Sequence, residues 1–171
     1  MRRRVVEFIL FIGAINCGSV CFAIDDSGRQ RIGCKSFVIE LKRGITENKV
    51  ISDAICGYFD AENYGEWQST FERRNALFRE RVDRDFYISY MQRAREQHVI
   101  QELVITGAKI DAKRALLNVE FHEARAKTER GRLSSYGEEL EFVKEDGVWK
   151  CRSCGFRGRF GINRPIIFSS K

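Results

Sequence analysis

After His98 the apolar residues of this chain stop recurring at helical intervals and begin to alternate with polar ones. "VIQELVITGAKI" and "RALLNVEFHEARA" read as half-buried strands joined around Asp111. "GEELEFVKEDGVWKCRSCGF" reads as two more, hinged at Asp146-Gly147, a dipeptide suited to the positive φ angles of a tight hairpin. Upstream, Val50, Ile51, Ala54, Ile55, Tyr58 and Phe59 mark one face of a helix, capped by Thr46 and stopped near Asn63 and Gly65. Asp83 caps a second helix whose stripe is Phe86, Tyr87, Tyr90, Met91 and Ala94. Trp67, Phe71, Leu77 and Phe78 anchor a short helical or irregular link between the two. Helices followed by a run of strands predict an α+β fold, with N-terminal helices packed on one face of a mainly antiparallel sheet of about four strands. The run "SFVIEL" reads equally as a strand or as the lead-in to a helix.

A chain of 171 residues supports one domain with a real core, and 43% hydrophobic residues with 32% charged ones describe a folded chain. Its opening, "MRRRVVEFILFIGAINCGSVCFAIDD", has arginines, then an apolar run, then small residues ending at Ala23, the order of a secretory signal peptide. Cleavage after Ala23 takes away three arginines and Glu7 and lowers the formal charge from +6 to +4. That mild balance lacks the dense basic footprint of a nucleic-acid binder. The expected organisation is a signal peptide over 1–23, an N-terminal segment over 24–45, one domain over 46–158 and a basic tail over 159–171. The expected location is periplasmic or secreted. The alternative is an uncleaved inner-membrane anchor, against which Glu7 and Asn16 interrupt a run shorter than the ~20 apolar residues a bilayer asks for.

The stretch "YFDAENYGEWQSTFERRNALFRERVDRDFYISYMQRAREQ", the alternating strands after it and the closing "EFVKEDGVWK" resemble the nuclear transport factor 2-like superfamily, a cystatin-like cone fold, and in particular its small exported bacterial members. The resemblance spans about 46–156 and implies a curved sheet with a pocket between sheet and helices. Some members are isomerases, dehydratases or epoxide hydrolases, and others are binding or assembly domains, including similar periplasmic scaffold domains of type IV secretion. An enzyme of this kind needs an acid or base pointing into the pocket. Strand parity places Leu117, Val119, Phe121, Leu140 and Phe142 on the inner face. Asn118, Glu120, His122, Glu139 and Glu141 then face outward, with Lys150 and Arg152 on the same charged surface. The pocket residues are therefore expected to be Tyr58, Trp67, Tyr90, Phe121 and Trp149, with no catalytic residue and no cofactor. The resulting expectation is an exported, non-catalytic module binding a small ligand or a protein, with an isomerase or hydratase, or an anchored assembly domain, as alternatives. A homodimer through the outer sheet face would be polar and weak.

Export leaves Cys34, Cys56, Cys151 and Cys154, an even number suited to disulfides. Cys151-Arg-Ser-Cys154 lacks the helix N-terminus and βαβ context of a thioredoxin-like pair. On one continuing strand the two cysteines face opposite ways, about 10 Å apart by strand rise, so they can bond to each other only if the strand has already ended in a turn. The expected pairs are Cys56 with Cys151 and Cys34 with Cys154. Cys-x-x-Cys-Gly also resembles half of a zinc knuckle, but no second short-spaced pair completes four ligands, and no metal is expected. The tail "FRGRFGINRPIIFSSK" alternates arginine with phenylalanine, which suits weak contact with an anionic membrane surface.

Overall fold

Asn48 starts the first helix, α1 (Lys49–Asn63), its side-chain oxygen accepting from the Ile51 N–H at 3.3 Å. Thr46, the expected cap, lies two residues too early. Asn48 has the extended backbone a cap needs, and asparagine ranks at least as high as threonine in that position. At the other end Gly65 takes φ +73°, and the N–H groups of Gly65 and Glu66 return to the carbonyls of Glu62 and Ala61. The computed structural model describes residues 22–24, 29–95, 98–125 and 134–154. The expected leader as far as Cys21 and the basic tail lie outside the described residues.

Two short helices follow, α2 (Trp67–Glu72) and α3 (Ala76–Arg81), and then α4 (Arg84–Arg95), capped as expected by Asp83, which accepts from the Phe86 N–H at 2.8 Å. The strands are β1 (Phe22–Ile24), β2 (Gln30–Gly33), β3 (Val38–Leu41), β4 (His98–Ile110), β5 (Arg114–Arg125), β6 (Ser134–Glu145) and β7 (Val148–Ser153). Among the described residues they form one seven-stranded sheet in the order β1 to β7, antiparallel throughout except for the parallel β3–β4 pair. The fold is α+β, as expected, but the sheet has seven strands in place of about four, and the helices sit between β3 and β4 instead of ahead of the sheet. "SFVIEL" is the reason. Val38–Leu41 is buried through Ile39, Glu40 and Leu41, so it shows no alternation, and its parallel partner β4 lies beyond four helices, where no hairpin signal can announce it. β1 straddles the expected cleavage point, so removal of 1–23 would leave only the Ile24–Gln30 pairing of its three.

Parity along the long strands holds. Leu117, Val119, Phe121, Leu140 and Phe142 are buried, while Asn118 and Glu139 are exposed. Asp146 and Gly147 take φ +50° and +81°, turning β6 into β7. On the outer face Glu141 accepts from both Arg114 at 2.7 Å and Arg152 at 3.3 Å, and Arg31 meets Glu102 at 2.8 Å. Such exposed pairs contribute little, about 0–1 kcal/mol each. Among the described residues no helix is long and apolar enough to cross a membrane.

The inner face packs on α1, whose C-terminal half is tied down by polar groups. The Asp60 carboxylate accepts from the N–H groups of Lys35 (3.1 Å) and Ser36 (2.8 Å) and from the Ser36 hydroxyl (2.6 Å). Asn63 donates to the Ile100 carbonyl at 2.8 Å and accepts from its N–H at 3.0 Å, joining α1 to β4. Cys34 and Cys56 form a disulfide across the same junction, with Cα atoms 5.2 Å apart and a sequence separation of 22. Closing a loop of that length is worth about 3 kcal/mol by the chain-entropy account. Asp60→Ala, which strands two backbone N–H groups in a part-buried turn, is expected to lower stability by about 2–3 kcal/mol in urea denaturation, with Asp60→Asn losing less.

Candidate functional site

Among the described residues two apolar clusters make up the interior. One joins α1 to the sheet and includes Tyr58, Phe59, Phe121, Phe142, Cys151 and Cys154; the other, under α2 and α4, contains Phe71, Val82, Tyr87 and Met91. Arg74 lies between them. It is 1% exposed, and its guanidinium sits 5.0 Å from the Tyr58 ring centroid on one side and 4.7 Å from that of Phe78 on the other. Nη2 donates to the Cys154 carbonyl at 2.8 Å, and Nη1 approaches Cys151 Sγ at 3.4 Å. Taking a guanidinium out of water costs several kcal/mol, so it must be compensated where it lies. Each desolvated cation–π contact returns about 2 kcal/mol.

The backbone around Arg74 is docked just as firmly. Residues 73–75 add a short parallel bridge to β7: the Cys151 N–H donates to the Arg73 carbonyl and the Asn75 N–H to the Cys151 carbonyl, both at 2.9 Å. The Glu145 carboxylate accepts from the Ala76 N–H at 3.0–3.1 Å. The next polar layer consists of Glu62 (2% exposed), Thr70 and Tyr87 (both 0%). Burial works against the charge on Arg74, but the surrounding Tyr58, Tyr87 and Glu62 outweigh it and hold its pKa above the ordinary arginine value. Burial also pushes the Tyr58 phenol well above its usual 10.0, with Arg74 pulling the other way.

The cysteine pairing differs from the expectation. Cys151 is bonded to Cys154, with Cα atoms 6.0 Å apart, and Cys34 to Cys56. All four cysteines are used, but the expected cross-pairs Cys56–Cys151 and Cys34–Cys154 do not form. A bulge is the physical reason. Cys151 lies opposite Phe142 and Ser153 opposite Glu141, so Arg152 is an extra residue in β7 and parity reverses at that point. The strand then ends in a bend at Cys154, and both sulfurs reach the same buried side.

The residues expected to line one pocket are dispersed. Tyr58 and Phe121 are core residues on either side of Phe59, with ring centroids at 5.0 and 5.3 Å from it. Trp67 lines an open surface groove, Tyr90 stacks on Phe86, and Trp149 lies half-buried near Lys144 at the β6–β7 hairpin. The groove, of about 540 Å³, is lined by Trp67 and Ile88 with Glu66, Gln68, Glu72 and Gln92 around them. The alternation that buries Phe121 continues to Glu123, which shares its inner face, is 3% exposed and accepts from the Tyr136 hydroxyl at 2.9 Å. Arg74 carried no sequence signal, being one arginine in a run of charged residues. Among the described residues no group of three His, Cys, Asp or Glu side chains is placed to hold a metal ion.

No family model matches the chain, and no curated protein is a significant match. Solved structures do resemble it. A SEC-C motif containing protein from Rhodopseudomonas palustris is 18% identical over 58% of this chain and 73% of its own, with a TM-score of 0.46. A second such protein, from Psychrobacter arcticus, is 12% identical over 75% and 67%, with a TM-score of 0.47. A protein of the NTF2-like (nuclear transport factor 2-like) family from Streptomyces avermitilis is 12% identical over 60% and 89%, with a TM-score of 0.40. No residue role is carried from any of them.

The Tyr58 shift has a readable sign. Its raised folded pKa gives stability that is fully present below about pH 10 and is lost as pH climbs from there through the folded value. Tyr58 is therefore expected to resist ionisation until the chain unfolds. Ultraviolet titration at high pH should show a late, unfolding-linked step that Tyr58→Phe removes.

Proposed function

We propose that this chain is an exported, non-catalytic binding module that meets its partner through the open groove beside Trp67. The observation that carries the reading is the filled interior. Among the described residues Tyr58, Phe59, Leu117, Phe121 and Phe142 are each 1% exposed or less, and this close packing of α1 on the sheet supports a binding surface on the outside over a substrate site within. General acid–base chemistry needs a group within hydrogen-bond reach of a bound substrate, and of the two most deeply buried carboxylates Glu123 is engaged with Tyr136 and Glu62 lies beside Arg74. The two disulfides support an oxidising compartment, in agreement with the signal-like N-terminus.

Groove chemistry favours a cationic partner with an apolar element. The Trp67 indole and Ile88 supply an apolar floor, Glu66 and Glu72 supply negative charge at its rim, and both acids are exposed. A guanidinium or ammonium seated on the indole gains from the ring and from the carboxylates together. Isothermal titration calorimetry of the full chain with a short arginine–phenylalanine peptide and with its glutamate–phenylalanine counterpart tests this. Saturable binding of the basic peptide alone, weakened at least tenfold by Trp67→Ala or by Glu66→Lys with Glu72→Lys, is the expected result. Equal response to both peptides, or none to either, removes the groove reading. The compartment is tested separately by intact mass of the chain recovered from the periplasm or medium. A chain beginning at Ile24 is expected, whereas retention of 1–23 in a membrane fraction would favour the anchored assembly domain.

A further inference from the structure

The two disulfides differ in what they do for the fold. Cys34–Cys56 spans 22 residues and ties the β2–β3 turn to α1, whereas Cys151–Cys154 spans three and joins two neighbouring points of one bulged strand end. A bond closing so short a loop removes little freedom from the unfolded chain. Yet it is the short one that lies against the buried guanidinium, with Arg74 Nη1 3.4 Å from Cys151 Sγ. A disulfide is neutral and gains little from a cation at that distance. A thiolate in the same place gains a charge-assisted hydrogen bond in a water-poor setting, so the arrangement favours the reduced pair over the oxidised one. The cationic environment that reactive Cys-x-x-Cys pairs commonly draw from a helix N-terminus is supplied here by a side chain from the segment between α2 and α3.

We infer that Cys151–Cys154 is a thiol–disulfide exchange site that reacts with a dithiol, and that Arg74 is the positioning residue that holds Cys151 as the departing thiolate. One thiolate of the external dithiol attacks Cys154 Sγ, the Cys151–Cys154 bond breaks, and Cys151 leaves as an anion facing Arg74. The second thiol of the reagent, deprotonated, then attacks its own sulfur in the mixed disulfide and expels Cys154, which takes up a proton. Two electrons pass from the dithiol to the protein, the reagent becomes a disulfide, and one proton goes to solvent for the thiolate kept at Cys151. Both cysteines are buried, so exchange proceeds through opening of the end of β7, where Arg152 is exposed and Ser153 half-buried. Glu62 on α1 and the phenols of Tyr58 and Tyr87 also surround Arg74, and they compete with Cys151 for its charge.

The experiment equilibrates the full oxidised chain with graded ratios of reduced to oxidised dithiothreitol and reads each bridge by alkylation and mass spectrometry. Cys151–Cys154 is expected to open at a dithiol ratio at least tenfold lower than Cys34–Cys56. In the reduced protein the alkylation rate of Cys151 against pH should have its midpoint at least one unit below the ~8.5 of a free cysteine. Arg74→Met should raise the ratio needed to open the bridge at least tenfold and move the midpoint up, with Arg74→Lys recovering part of both. Joint opening of the two bridges, or a Cys151 midpoint at or above the free-cysteine value in the native sequence, overturns the inference. If Arg74→Met does not fold, the native-sequence ratio and midpoint decide alone.

Discussion

The Arg74 guanidinium is a buried charge set in the seam between the two apolar clusters of the described residues, and the surfaces on either side of it are placed by what it touches. On its sheet side are the Tyr58 ring and the Cys151–Cys154 bridge, and on its helix side the Phe78 ring. A well-packed apolar side chain of similar volume would hold the same two surfaces together at lower desolvation cost. What an arginine adds is direction: its planar fork requires the Cys154 carbonyl and Cys151 sulfur to lie where they do. The short helices α2 and α3 thereby gain a fixed position relative to a sheet from which they project.

The junction of α1 with the sheet is closely packed among the described residues. The helix is drawn down at Asp60, Asn63 and Cys56, and Phe59 and Phe121 meet edge to face between it and β5. An open groove among the described residues lies between α2 and α4, lined by Trp67 and Ile88.

Much of the architecture was legible in the chain itself. Alternation in β5 and β6 identified the buried set from Leu117 to Phe142, Asp83 and Asp146-Gly147 marked real boundaries, and all four late cysteines are bonded. What escaped reading was non-local or non-periodic. The β3–β4 pairing is parallel and distant, so nothing in "SFVIEL" favours a strand over a helix. The bulge at Arg152 reverses a parity that the sequence presents as continuous, and the wrong cysteine partners followed directly from it. Glu123 required only that the Phe121 parity be carried two residues further.

The parallel β3–β4 pair has a consequence for the order in which this chain can assemble. β2 and β3 are made first and can pair only with each other and β1 until all four helices and β4 have emerged. Loop-closure entropy makes such a long-separation contact slow to form, and β3 meanwhile presents an unpaired apolar edge to its surroundings. The Cys34–Cys56 bridge falls within that early-made portion and can close before the sheet is complete, giving β3 a tether to α1 while it waits for its partner strand.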